Sequence, residues 1–249
     1  MMRDPPAVEI INAGGTSPFV LLCEHAANHI PDEYNGLGLA AADRARHIAW
    51  DIGAADVARR LSPLVDAPLI LSGYSRLLID CNRPLHAPSS IPEISETTTI
   101  PGNVALSAAE RDLRAERYFH PFQNAVDAHL DDRRRLGRKT VVIGVHSFTP
   151  VFRGHRRPWH AGILFRHSEG LGRGLVESLQ RGMGDGYVVA ANQPYQIGDD
   201  SDYTVPIHGE RRGLDAVLIE IRQDLIAESP GAERWAGGLA EALRAWRIG

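Results

Sequence analysis

The sequence is nearly without lysine. Among its 27 basic residues only Lys139 is one, so chemistry that runs through a Schiff-base lysine has a single candidate. Cysteine is almost as scarce. Cys23 and Cys81 are the only two, too few for a disulfide framework, and they point to a reduced cytoplasm. No apolar run approaches the roughly 18 residues of a membrane span. Met1 to Pro6 carries no charged region followed by an apolar core, so no secretory signal is expected. There is no basic excess either: 27 basic against 31 acidic residues give a net charge of -4, which argues against a general nucleic-acid binder. The chain lacks internal repeats and low-complexity linkers, so one domain over residues 1–249 is expected. It also lacks a Gly-x-Ser-x-Gly elbow and a Walker phosphate loop. Gly170-Leu-Gly-Arg-Gly174 falls short of the dinucleotide fingerprint and follows no clear strand.

What is present describes a globular protein, with 43% hydrophobic and 23% charged residues. Strands are predicted at 18–23, 67–72, 77–80, 140–145, 187–191 and 216–221, mostly short apolar runs. Between them, helical spacing predicts helices over 43–61, from the Ser107 capping box to about Leu136, over 170–183 and over 230–247. Strands alternating with helices imply an α/β fold with a mostly parallel sheet covered on both faces. The proline-rich stretch from Asp80 to Asn103 reads as a long irregular loop, a feature usually functional or disordered.

The informative residues sit where strands end. His25 follows the first run, Asp80-Cys-Asn-Arg83 the third, His146-Ser147 the fourth, and Glu220 lies near the end of the last. In parallel sheets ligands bind beyond the carboxyl ends of the strands. Taken singly, each residue has a plain structural reading: a satisfied histidine, a turn asparagine, or an ion pair such as Arg76 with Asp80 or Glu220 with Arg222. Together they deliver imidazoles, carboxylates, an amide and a guanidinium to one edge, where unpaired charge is costly. Two neutral imidazoles and a carboxylate suit zinc with an open fourth position. Such an ion activates water and polarises a carbonyl. A second carboxylate can take the proton, and a guanidinium can hold a substrate carboxylate through two hydrogen bonds.

At these residues the sequence resembles the N-formylglutamate amidohydrolase family. The matching segments are Cys23–Pro31, Trp50-Asp51, Tyr74–Pro84, Gly144–Thr149 and Glu220–Asp224, in family order. The Ser-Arg…Asp-x-Asn-Arg-Pro segment is the most specific. The family is similar in turn to zinc carboxypeptidases, which implies a three-layer α/β/α fold of the phosphorylase/hydrolase type. That wider resemblance implies one Zn2+ per chain held by His25 and His146, with Glu220 as general base and Asn82 and Arg83 gripping the substrate α-carboxylate. Asn28 stands where those enzymes place a glutamate ligand. Asp51 is preferred as the third ligand, with Glu24 the other choice. Arg76 is expected as a second anion contact, and Tyr203 and His208 as substrate contacts from the loop before the last strand. The remaining histidines, among them His47, match no motif, and most read as surface or structural. The expected protein is a cytoplasmic, zinc-dependent amidohydrolase acting on an acidic N-acyl amino acid, foremost N-formyl-L-glutamate. The rivals are a deacylase or carboxypeptidase of other specificity and a metal-free binding protein.

Overall fold

The computed structural model describes residues 4–246. Part of the N-terminal stretch, Met1 to Arg3, and the expected helix end at Arg247 lie outside them. In chain order the elements are β1 Val8–Ile11, β2 Phe19–Cys23, α1 Ala41–Arg44, α2 Ala54–Leu64, β3 Leu69–Ser72, β4 Ile94–Ser95, β5 Thr98–Thr99, α3 Ala108–Arg114 and α4 His120–Arg135. They continue with β6 Val141–Phe148, β7 Val151–Phe152, β8 His155–Arg156, β9 Ala161–Leu164, α5 Glu169–Met183, β10 Val189–Ala191, β11 Asp215–Arg222 and α6 Ser229–Ala245. Seven strands form one sheet in the order β1-β3-β2-β6-β11-β9-β10, while β4-β5 and β7-β8 are separate hairpins. The central strands β3, β2, β6 and β11 run parallel. The edges reverse: β1 is antiparallel to β3, and β9 to β11.

Alternation along the buried strands feeds two cores. Leu21, Ile143, Val145, Val217 and Ile219 point toward α2, α5 and α6, whose Leu61, Leu175, Trp235 and Leu239 fill that layer. Val20, Leu22, Val142 and Leu218 point the other way, against Phe122, Val126 and Leu130 of α4. Each such large apolar side chain contributes about 1.5–3 kcal/mol on burial. The result is the expected three-layer α/β/α arrangement with a mostly parallel sheet. The second face also carries chemistry. Continuing the period of two, Glu24 follows Leu22, His146 follows Val142 and Gly144, and Glu220 follows Leu218, so all three emerge on the α4 side at the strand ends.

A third core lies beyond those strand ends, built from Ile30, Leu37, Ile48, Leu77, Leu78, Ile100, Tyr118 and Phe119. It orders the long loop. Buried Arg114 is the clamp, donating to the carbonyl oxygens of Leu78 and Gly102 and to Asn103 Oδ1. Residues 77–80 are therefore not a strand. Ser75 Oγ accepts the Leu77 amide and donates to the Ala49 carbonyl, winding the segment into a turn. The helix expected over 43–61 is also divided. Helix α1 stops at Arg44 and α2 starts only at Ala54, after Gly53 at φ 80. The edge strand β1 and the inner strand β9 carry no sequence signal, because four residues give too short a period to see. The long helix opens as expected, with Ser107 Oγ accepting the Glu110 amide, but it carries a π turn at 115–119 before α4.

No helix among the described residues is long and apolar enough to cross a membrane. Both cysteines are buried thiols, and burial pushes their pKa values up.

The break at Gly53 is a testable constraint. A Cβ there would lie 2.2 Å from the Ile226 carbonyl oxygen, on a backbone that L side chains rarely adopt. Gly53→Ala should cost at least about 1–3 kcal/mol in backbone strain, read as a lowered midpoint in denaturant. An unchanged midpoint would show that the turn relaxes freely.

Candidate active site and metal centre

The break between α1 and α2 places Asp51 at the centre of the site. Its backbone amide donates to the His25 carbonyl, and its carboxylate reaches under the ends of β2 and β6. One oxygen, Asp51 Oδ2, lies 3.3 Å from His25 Nδ1 and 2.9 Å from His146 Nδ1, and accepts the Ser147 amide at 3.2 Å. His25, Asp51 and His146 are all buried, and each offers one ligand atom within 4.8 Å of the others. Gly144 makes room for this, since a Cβ there would sit 3.3 Å from His146 Nε2 and 2.3 Å from Leu218.

The far nitrogen of each imidazole faces a buried carboxylate. His25 Nε2 is 2.7 Å from Asp80 Oδ1. His146 Nε2 is 3.1 Å from Glu24 Oε2, close but out of hydrogen-bond alignment. The Thr204 hydroxyl holds Glu24 by donating to its other oxygen. Arg76 closes the ring by donating to Asp80 Oδ2 at 3.0 Å and Asp51 Oδ1 at 3.2 Å.

The electrostatics follow from these neighbours. Burial opposes ionisation of Asp51, Asp80 and Glu24, but the adjacent imidazoles, Arg76 and Thr204 outweigh it and hold all three pKa values down. Burial likewise opposes charge on His146, yet Glu24 and Asp51 push its pKa well up. Glu220 behaves oppositely. It is 6% exposed, its Oε2 has no hydrogen-bond partner, and burial with nearby Asp51 lifts its pKa to about 7.

These residues fit a divalent cation. With protons on the far nitrogens, which face carboxylates, the Nδ1 lone pairs converge on an anionic oxygen, which is repulsive unless protons or a cation intervene. Three carboxylates against the one guanidinium of Arg76 leave two negative charges in the cluster. Two imidazolium protons balance them, and so does one ion such as Zn2+ between neutral imidazoles. The two-nitrogen, one-oxygen donor set suits zinc. Asn28 has no part in it: it is exposed and donates to the Arg44 carbonyl. Glu24 stands behind His146, not beside Asp51.

The cluster floors a cavity of about 460 Å³ whose walls include Arg76, Asn82, Arg83, His146 and Glu220. Arg83 is 21% exposed at the side chain, donates to the Asn82 carbonyl and approaches Asp202 only to 4.0 Å, leaving donors for a ligand. Asn82 is more committed. Its Oδ1 accepts the amides of Tyr203 and Thr204, and its Nδ2 reaches Asp202. Arg76 lines the cavity but spends its charge on Asp51 and Asp80. Tyr203 and His208, expected as substrate contacts, are not among the lining residues. Tyr203 packs edge-on against Phe119 and His208. His208 is wholly buried between Gln123 and Asp127. Both stabilise the loop that anchors Asn82.

Sequence reasoning missed several wall residues. His47, which matches no motif, lies on the wall and pairs with Glu96. Tyr195, Phe148 and Phe152 line it too. The continuation of β6 past His146 was the only available signal, pointing to Phe148 two residues on along the same face.

A family model for N-formylglutamate amidohydrolase matches residues 17–227. The chain belongs to the N-formylglutamate amidohydrolase family, a family of amide hydrolases. Among solved structures, a gene product of Agrobacterium tumefaciens is 39% identical with a TM-score of 0.92, covering 97% of this chain and 94% of that one. N-formylglutamate amidohydrolase from Ralstonia eutropha shares the fold at 19% identity and a TM-score of 0.68, over 95% and 96% of the two chains. A metallo-carboxypeptidase from Burkholderia cenocepacia is a remote neighbour, with 13% identity and a TM-score of 0.39 over 96% and 64%. Among curated proteins, none matches the chain.

The donor set makes two predictions for purified protein. Zinc should bind at about one per chain, and His25→Ala and His146→Ala should each abolish it; full retention in both would remove these ligands. Because His146, whose pKa Glu24 and Asp51 push well up, must lose a proton before the ion binds, affinity should rise with pH. Chelator competition at about pH 6 and about pH 8 reads this directly, and a flat profile would contradict it.

Proposed function

We propose that the protein is a zinc-dependent amidohydrolase that cleaves the amide of an acidic N-acyl amino acid, foremost N-formyl-L-glutamate, to the free acid and the amino acid. The observation that carries this reading is the pairing of a buried His–Asp–His donor set with an unpartnered carboxyl, Glu220, on the adjoining strand. Residues Glu220 and His146 stand opposite each other in the β6–β11 register. Family membership supports the reaction class.

His25, Asp51 and His146 would hold the ion, which when bound polarises the amide carbonyl and makes water a better nucleophile at neutral pH. Glu220 supplies the proton relay. With a pKa near 7 it can take a proton from attacking water at Oε2 and return it to the departing nitrogen, leaving as the free amine. Asp80, in hydrogen-bond contact with His25, favours the proton on that far nitrogen, and Glu24 favours it on His146 through charge alone, so the near nitrogens would be left to the ion. Arg83 binds the α-carboxylate, fixing the amide between itself and the cluster. Asn82 orders the loop beside it. Arg76 neutralises the outer carboxylates and has less capacity left for substrate. Two buried thiols and a small-molecule site agree with a cytoplasmic enzyme.

Removing the relay should act mainly on the transition state. Glu220→Gln should lower kcat about 10²–10⁴-fold with zinc content unchanged. An unchanged kcat would make Glu220 a structural residue. For the carboxylate, Arg83→Ala should weaken kcat/KM by about one to two orders of magnitude on free-acid substrates and shrink the penalty for amidating the α-carboxylate. If wild type cleaves free-acid and amidated substrates equally, the carboxylate is bound elsewhere.

A further inference from the structure

A formyl group carries only a hydrogen on its carbonyl carbon, yet the cavity of about 460 Å³ falls within the roughly 300–1,000 Å³ of sites for drug-sized ligands. Its two sides differ in chemistry. The sheet order places the β3 loop, with Arg76, Asn82 and Arg83, on one side of the cluster, and β10 with its following loop on the other. On that second side the wall is aromatic, made by Phe148 and Phe152 from the end of β6 and the β7-β8 hairpin, and by Tyr195 from the loop after β10.

The wall is built and held. Arg157, itself 8% exposed, lies 4.6 Å from the Phe152 ring centroid, 4.8 Å from Tyr195 and 5.7 Å from Phe148. It donates to the Tyr195 hydroxyl at 2.9 Å. Gly162 lets the Tyr195 segment lie directly on β9, since a Cβ there would sit 1.6 Å from the Gln193 carbonyl oxygen. Phe148 is 2% exposed and backs the wall, while Tyr195 at 40% and half-buried Phe152 keep ring surface and line the cavity. With the α-carboxylate at Arg83, the acyl half of a substrate points toward this wall, and formyl would leave it uncovered.

We propose that Phe152 and Tyr195, backed by buried Phe148, form an acyl subsite, and that the enzyme hydrolyses N-acyl amino acids whose acyl group is apolar and ring-sized, not formyl alone. The inference rests on the amidohydrolase reading of the cluster. The step is ordinary hydrolysis. The C–N bond of the aroyl amide breaks, a C–O bond to water forms, and a proton passes to the nitrogen, giving an aromatic carboxylate and the free amino acid.

The test compares N-formyl- and N-benzoyl-L-glutamate with zinc-loaded wild type, Phe152→Ala and Phe152→Leu, by kcat/KM and by calorimetric binding. Wild type should cleave both compounds. The benzoyl-to-formyl ratio should fall about three- to tenfold in Phe152→Ala, as loss of an aromatic contact implies, with Phe152→Leu between. Cleavage of the formyl compound alone, with no binding of the benzoyl one, would overturn the subsite. So would a ratio unchanged in Phe152→Ala. If neither compound is cleaved, the hydrolytic reading fails on its own, and calorimetry still decides: benzoyl binding weakened by Phe152→Ala supports the wall, and no binding overturns it.

Discussion

Everything in the site is arranged around a single oxygen, Asp51 Oδ2. Two imidazole nitrogens and a backbone amide converge on it, and none of the three comes from a neighbouring stretch of chain. To bring the carboxylate there, the backbone abandons helix between Arg44 and Ala54 and turns through a left-handed Gly53. To bring His146 there, β6 gives up a side chain at Gly144. Both concessions weaken regular structure locally, and both make sense only for the sake of that point of convergence.

The second level of organisation keeps buried charge in balance. Glu24, Asp51 and Asp80 would be ruinous together in a protein interior without compensation. Arg76 answers part of the charge, and the imidazoles answer the remainder by holding protons or sharing an ion. Thr204 and Asn82 tie this outer layer to one loop. Thr204 reaches Glu24 through its hydroxyl, its amide binds Asn82, and the Asn82 amide binds Asp80. The loop before β11 therefore supports both histidines from behind, without touching the cavity through Tyr203 or His208.

Much of this was legible in the sequence, for reasons that can be named. Central strands read clearly because β2, β6 and β11 are buried on both faces and so are mostly apolar until polar residues interrupt them; Glu24-His25, His146 and Glu220 are those interruptions. Asp51 was reachable only through family resemblance, since nothing local distinguishes it from a helix-surface aspartate. The turn at 77–80 misled because its apolar residues face a third core under a loop, and a buried turn has the same composition as a short strand. Tyr203 and His208 misled differently: polar residues close in sequence to a site can be spent on holding a loop. The aromatic wall was hidden because its three rings come from separate segments, and such a surface exists only once β6 and β10 belong to one sheet.

The distance along the chain between the ligand candidates has a consequence for assembly. His25, Asp51 and His146 arrive from segments separated by 26 and 95 residues, and the two histidines lie near the end of β6 and just beyond the end of β2, which pair with each other. A short zinc-binding loop can be organised by its ion early, while the rest of the chain is still open. Here the entropy of closing so long a loop must be met by strand pairing and core formation first. Such spacing favours late formation of the cluster, and a metal ion bound there would act as a latch on a finished sheet, slowing its opening, and not as a seed around which the sheet forms.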